Sequence, residues 1–232
     1  MLVKELIQRV QSLYSKGVQS DDARLSSRHI YNKLLSVRAR VVSQEAKKKQ
    51  KISQFNYQTI FCVELIKIPA HECPCIPPLG CDILRSKYPL PKPLSGLSGN
   101  LIESVTSIDR RIKIDEMAMN AVRSQKGNKY TAEKTNYFIQ NKHIYIITPT
   151  KIEVVSITAL FEDPLEVAKY IGYCDCTDCK KCIDFLEETF PLDNDLVDAV
   201  IELSLNELLS IFSQAQEDAT NNTRDTLKEQ SK

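Results

Sequence analysis

Apolar residues recur at helical spacing in the first fifty residues and predict two helices. The two apolar stripes consist of Val3, Leu6, Ile7, Val10, Leu13 and Tyr14, and of Ile30, Leu34, Val37 and Val41. Gly17 can end the first helix, and Ser20 with the acids that follow it suits the start of the second. If the second helix runs to Gln50 it has about 29 residues and is roughly 43 Å long. We expect the two to pair antiparallel as a long helical hairpin.

The middle of the chain predicts strands. Residues 57–66 alternate between two sets of apolar side chains, which is typical of a strand buried on both faces. Residues 111–115 predict another strand, and residues 124–135 predict a polar loop. The proline-dense stretch 69–93 is stiff and cannot be helical, so we expect an extended arm that lies on a neighbour or wraps the surface.

A hairpin that leads into a helix is predicted next. Residues 144–148 and 151–160 are rich in β-branched residues, and Pro149 lies in the short connection between them. The second run either buries both faces or contains a bulge near Val155. Asp163 can cap the helix that follows, and Pro164 suits its first position.

The C-terminal third predicts helices and a tail. A broad apolar face follows a cap near Asp193 or Asn194 and consists of Val197, Val200, Ile201, Leu205, Leu208, Leu209 and Phe212. Residues 213–232 are polar and predict a flexible tail. We therefore expect an α+β fold. Its segments are a helical hairpin at 1–54, a β-rich region with a small central sheet at 55–160, C-terminal helices at 161–212, and the tail.

Composition excludes several classes of protein. The chain has 232 residues, 42% hydrophobic and 26% charged, as in globular proteins, and it contains no apolar run of about 18 residues that would span a membrane. Its first ten residues lack the apolar core of a secretory signal, so we expect assembly in the cytoplasm of the cell that makes it. It has neither a GxxxxGK[ST] nor a GxGxxG motif, and His71-Glu72 never becomes HExxH. We therefore expect no enzyme.

Charge is strongly segregated along the chain. Residues 1–51 carry twelve bases and four acids, whereas residues 161–232 carry seventeen acids and six bases. This fits head-to-tail neighbours in an oligomer, and it equally fits two solvated helical faces of opposite sign. The best candidate DNA-facing residues lie at the end of the second helix: Lys47, Lys48, Lys49 and Lys51, together with Arg38 and Arg40. They would contact phosphates without reading bases.

Two cysteine clusters predict a candidate metal site. The four cysteines of the second cluster, Cys174, Cys176, Cys179 and Cys182, include CxxC spacings at which thiolates converge on zinc. The first cluster, His71, Cys73, Cys75 and Cys81, can supply alternative ligands. A structural zinc is one interpretation, and reduced, partly buried thiols without any cofactor are the other.

The segment that ends in ALFEDPLEVA, together with the paired N-terminal helices, resembles a structural protein of crAss-like bacteriophages. The layout from about residue 2 to 212 is similar to the head-to-tail adaptor proteins of short-tailed phages. This resemblance implies a non-enzymatic virion protein in a ring below the portal, which joins capsid to tail around the DNA channel. It further implies a dodecamer, contacts with the portal and other tail ring proteins, and no membrane. The alternative is a zinc-stabilised module that binds DNA weakly.

Overall fold

The computed structural model describes residues 1–15, 17, 25–48, 52–68, 83–96, 99–121, 129–170 and 184–210. The chain divides into two compact units. Met1–Lys49 and Asp184–Lys232, the two ends of the chain, make a helical unit, and Gln50–Ile183 makes a barrel unit. The mixed α+β prediction is confirmed, and the sheet is larger than the small one expected. The division into four segments stays a prediction.

The helical unit contains α1 (Val3–Tyr14), α2 (Ser27–Lys48) and α4, which spans residues 194–210. Each helix buries most of its apolar stripe. The buried residues are Val3, Leu6, Ile7 and Val10 of α1; Ile30, Leu34, Val37 and Val41 of α2; and Val197, Val200, Ile201 and Leu208 of α4. Leu13 and Leu209, which were predicted to belong to these stripes, are about half exposed at 54% and 45%.

The start of α1 is fixed by the segment that precedes α4. The backbone N–H groups of Val3 and Lys4 donate to the carbonyls of Glu188 and Leu186 at 3.0 and 3.1 Å. The first N–H groups of a helix have no partner within the helix, so these bonds satisfy them. Phe190 N donates in turn to the Met1 carbonyl at 2.9 Å.

The predicted start of α2 near Ser20 is wrong. Residues 25 and 26 are described and not helical, and α2 begins at Ser27. The reason is a cap one residue earlier, since the Ser26 hydroxyl accepts from the His29 N–H at 3.2 Å. The helix has 22 residues instead of about 29.

The barrel unit is a closed sheet of the described strands, which follow one another around it in the order β1-β2-β6-β5-β4-β3-β7. Their ranges are β1 Gln58–Lys67, β2 Ile83–Ser86, β3 Ile102–Ser107, β4 Lys113–Glu116, β5 Asn136–Gln140, β6 His143–Ile147 and β7 Val154–Ala159. Pairing is antiparallel except between β4 and β5, which are parallel. Short 3-10 turns lie at Gln54–Asn56 and Met119–Ala121.

Apolar residues of all seven strands, among them Val63, Ile146 and Ile157, fill the core. A second cluster stacks Phe138 on Tyr145 with ring centroids 5.0 Å apart. The short helix α3, Pro164–Ala168, packs against β1. Its predicted cap is confirmed, since Asp163 Oδ1 accepts from the Leu165 N–H at 2.9 Å.

The predicted hairpin of residues 144–148 and 151–160 is wrong. Both strands exist, as β6 and β7, but β6 pairs with β2 and β5 while β7 pairs with β1 and β3. Strand β6 instead forms a hairpin with β5, in which Gln140 faces His143 across the two-residue turn Asn141-Lys142. Both turn residues have positive φ, at 50° and 63°, as such turns require.

Both strands that pair with β7 contain a register shift, and the shift in β3 falls between Ile102 and Ser104. The shift in β1 falls between Ile60 and Val63, where Cys62 has a φ of 59°, and it lies beside Val155, the partner of Val63. Because the consecutive residues Val155, Ser156 and Ile157 are all buried, β7 is also buried on both faces, as the other alternative expected.

The predicted proline-rich arm is wrong over its described part, residues 83–93. Ile83–Ser86 is a strand that pairs on both sides, and Leu90 lies in the barrel core. Strand β2 carries its own apolar residues, and the prolines follow it at Pro89, Pro91 and Pro93, where they do not interrupt its pairing. Residues 69–82 lie outside the described part of the chain.

Candidate interaction surfaces

Opposite charges are concentrated on two segments of the helical unit. Residues 184–210 contain eight acids and no base, whereas residues 25–48 contain six Lys and Arg residues and one acid. Part of this charge is used within the chain, because Glu207 of α4 pairs with both Lys33 and Arg40 of α2. Hydrogen bonds from these two side chains lower the pKa of the Glu207 carboxyl.

Arg38 is buried and does not belong to a DNA-facing patch, which corrects that part of the prediction. Its side chain is 0% exposed, its Nε donates to the Pro191 carbonyl at 2.9 Å, and its guanidinium lies 5.7 Å from the centroid of the Phe190 ring. Arg38 therefore ties α2 to the segment before α4. The signal was present in the sequence, because Arg38 lies one helical turn after Leu34 on the apolar stripe.

The end of α2 is basic and exposed. Lys47 and Lys48 occupy its last turn, where positive charge suits the helix dipole, and neither forms an ion pair in the described part of the chain. Lys49 and Lys51 lie outside the described residues. The guanidinium of Arg40 forms an ion pair with Glu207 and is therefore partly neutralised within the chain. The basic patch at this end therefore reduces, among described residues, to two lysines.

A groove of about 950 Å³ lies between α1 and α4, and we call it the α1–α4 groove. Its lining comprises Met1, Glu5, Gln8, Arg9, Ser12, Leu13, Asp198, Ile201, Glu202 and Leu205. Leucine and isoleucine side chains supply an apolar surface, and three carboxylates stand around it. The side chains of Arg9 and Asp198 approach to only 3.9 Å and are 57% and 93% exposed, so this pair adds little stability.

A smaller cavity of about 250 Å³ lies in the barrel unit. Apolar residues such as Ile102, Ile157 and Phe161 form most of its lining. Of its two lysines, Lys92 pairs with Glu162 at 2.7 Å, and the described lining residues include no carboxylate, histidine or thiol that would serve as a general base. Within the described ranges this cavity shows no catalytic constellation.

The two described histidines lie far apart in the chain and have separate surroundings. His29 is exposed on α2, whereas His143 Nδ1 lies 3.1 Å from Ser86 Oγ and 2.9 Å from the Ser86 carbonyl oxygen, a contact that links β6 to β2. Burial and Glu103 raise the pKa of Tyr57 to about 12, and burial and Glu64 raise that of Tyr170 to about 12. Both phenols therefore stay protonated at neutral pH and are poor proton acceptors.

The predicted zinc ligands, Cys174, Cys176, Cys179 and Cys182 with His71, Cys73, Cys75 and Cys81, all lie outside the described residues. Within the described ranges no group of three or more His, Cys, Asp or Glu side chains is placed to hold a metal. The remaining cysteine, Cys62 in the β1 bulge, is disulfide-bonded, contrary to the expectation of reduced thiols.

Comparison with protein families identifies the chain. Residues 5–227 match the family described as phage tail ring protein 2, which covers nearly the whole sequence. The chain belongs to this family of crAss-like phage proteins. It is a structural virion protein that assembles as a ring in the phage tail. Among the curated proteins nothing matches. In the described part of this ring protein, the helices are too short or too polar to cross a membrane.

Proposed function

We propose that this ring protein is a head-to-tail adaptor: it forms a ring below the portal that joins the capsid to the tail and surrounds the channel through which DNA passes. The observation that carries the proposal is the match to a phage tail ring protein over residues 5–227. The family places the protein in a tail ring, and the adaptor position is our inference from the layout of the chain.

The barrel unit supports a role as a rigid wall. Because its described strands close on one another, no described strand offers a free edge on which a neighbour could add a strand. Contacts between subunits then depend on side chains at the surface. The helical unit supplies such contacts, since charges of opposite sign remain exposed on α2 and on residues 184–210.

The proposal extends to partners. The ring would be a dodecamer, and its axial neighbours would be the portal and other tail ring proteins. Assembly would occur in the cytoplasm of the host before the finished ring enters the virion. DNA contact would be non-specific and electrostatic, through Lys47, Lys48, Lys49 and Lys51. A structural zinc held by the second cysteine cluster would stabilise the subunit and take no part in catalysis.

Imaging of the phage vertex tests this function. Particles that carry a density tag on this chain should show the tag in one ring directly below the portal, and a particle assembled without the protein should lack an attached tail. A tag found at the distal end of the tail would refute the adaptor position while leaving the tail ring intact. The alternative, a zinc-stabilised module that binds DNA weakly, would leave the tag outside the vertex and the protein on DNA in the cell.

A further inference from the structure

From the charged surfaces of the helical unit we infer that the α1–α4 groove binds the lysine-bearing end of α2 from a second copy of this chain. This inference rests on the proposed ring function and names the contact that would join neighbouring subunits. It concerns two surfaces of the same unit: two lysines that form no ion pair in the described part of the chain, and a groove whose described lining holds three carboxylates and one base, Arg9.

The groove has the chemistry to accept a lysine side chain. Leu13, Ile201 and Leu205 provide apolar surface, and Leu13 is 54% exposed although it continues the buried stripe of α1. Asp198 and Glu202 on α4 provide negative charge beside it. A lysine buries its methylene groups against apolar surface and keeps its ammonium among carboxylates at the rim. The groove's volume of about 950 Å³ leaves room for more than one such side chain.

The acids of the groove are only partly neutralised from within, because its described lining holds one base, Arg9, beside the three acids Glu5, Asp198 and Glu202. Glu207, one turn beyond the groove on α4, is already paired with two bases of α2. In contrast, Glu202 has no ion pair in the part of the chain that the structure describes, and Asp198 is 93% exposed with its nearest base 3.9 Å away. Negative charge that remains exposed beside apolar surface is what a basic, partly apolar segment would bind.

The complementary surface lies on the same unit and forms no ion pair with the groove in the described part of its own chain. Lys47 and Lys48 form no ion pair with Asp198 or Glu202, which are the groove acids on α4. A contact between two different surfaces of identical subunits is heterologous, and repetition of a heterologous contact closes a ring when the rotation between subunits fits. A second copy is therefore the occupant that would match the two lysines with the excess negative charge of the groove.

Charge reversal with the full-length protein tests the contact by sedimentation velocity, from low micromolar to the highest soluble concentration. Lys47→Glu with Lys48→Glu should weaken self-association about tenfold or more, which several surface pairs of up to about 1 kcal/mol each can supply together. Asp198→Lys with Glu202→Lys should do the same, and Glu202→Lys alone serves if the pair does not fold. Association of the wild type should fall as salt rises past about 0.15 M, where screening acts over roughly 8 Å.

Matched controls place the same charge changes elsewhere. Arg28→Glu reverses an exposed base near the opposite end of α2, and Glu187→Lys reverses an exposed acid outside the groove lining. Both should associate like the wild type. Mixing the two double variants restores opposite charges across every contact, so the mixture should associate although each variant alone does not. Combining all four reversals in one chain should restore it as well.

Any of three results would overturn the inference. The wild-type protein could stay monomeric at every concentration, Arg28→Glu could self-associate as weakly as the lysine double variant, or the mixture of the two double variants could fail to associate. None of these touches the proposed adaptor function, because tagged particles test the position of the ring separately. A ring seen below the portal with monomeric protein in solution would reject the lysine–groove contact alone. Retention on DNA lost in the lysine double variant, with association unchanged, would place Lys47 and Lys48 against nucleic acid instead.

Discussion

Replacement of Arg38 is the sharpest test of how the helical unit is held together. Arg38→Ala removes a fully buried side chain, the donor to the Pro191 carbonyl and the cation over the Phe190 ring. A lost hydrogen bond from a charged group costs about 1.5–3 kcal/mol, and the cavity left by the stem adds to this cost. Relief of the desolvation of a buried cation acts in the opposite direction. We therefore expect a net loss of about 3 kcal/mol.

A methionine at position 38 separates packing from charge. Arg38→Met keeps most of the buried stem and removes the donor, so it should cost about 1–2 kcal/mol, less than Arg38→Ala. Arg28→Met, an exposed site on the same helix, should change stability by about 0.5 kcal/mol or less. Urea unfolding followed by far-UV circular dichroism measures all three. In thermal scans the alanine variant should melt about 6–12 °C lower, since 1 kcal/mol corresponds to about 2–4 °C for a chain of this size.

One outcome would refute the reasoning. If Arg38→Ala unfolds within about 0.5 kcal/mol of Arg28→Met, the link from α2 to the Pro191 carbonyl contributes nothing to stability. A methionine variant that is less stable than the alanine variant would show that the site tolerates a cavity better than an apolar side chain, and the packing argument would then fail.

Four further predictions concern charge, a turn, metal and the tail. Glu207→Gln should destabilise the protein by about 1 kcal/mol at pH 7. Because the pKa of Glu207 is lowered in the folded state, the difference in stability from the wild type should persist above a pH of about 4.3 and disappear as the pH falls through that lowered pKa. Lys142→Gly should raise stability by about 0.5 kcal/mol in urea unfolding, since φ is 63° there, whereas Lys142→Ala should bring no gain. Protein purified without chelator should contain stoichiometric zinc by elemental analysis, and Cys176→Ser with Cys179→Ser should lower its melting temperature; absence of both effects rejects the site. Removal of residues 213–232 should leave melting unchanged and impair assembly, and a truncated chain that unfolds would place the tail in the core.

Strand positions were more predictable than strand partners. The β-branched residues of 144–148 and 154–159 marked two real strands, because burial on a pleated surface selects such side chains locally. Closeness in sequence then suggested that these strands pair, and the barrel pairs them with others. The turn at Asn141-Lys142, preceded by the aromatic pair at Tyr137 and Phe138, was the signal for the β5–β6 hairpin.

Contacts between distant segments explain why the rest was missed. The apolar stripes of α1 and α2 are periodic and predicted both helices. No pattern in the sequence indicates the hydrogen bonds between distant residues, such as those from Val3 to the Glu188 carbonyl and from Arg38 to the Pro191 carbonyl. The segregation of charge was visible in the sequence, whereas its partial use inside the chain, at Glu207, depends on how α2 and α4 pack. The α1–α4 groove likewise exists only once those helices are assembled.

Because the helical unit is built from segments on either side of the barrel unit, it can fold only late in synthesis. Arg38 and its acceptor at Pro191 are 153 positions apart, so a ribosome finishes the whole barrel unit before α2 can meet this partner. Domains generally fold as they emerge, from the N-terminal side onward. Here α1 and α2 must wait for α4, which also carries one wall of the groove. A nascent or prematurely terminated subunit therefore exposes the lysines of α2 without a groove. Only a completed subunit carries both the lysines and the α1–α4 groove, and so can contact a neighbour on each side.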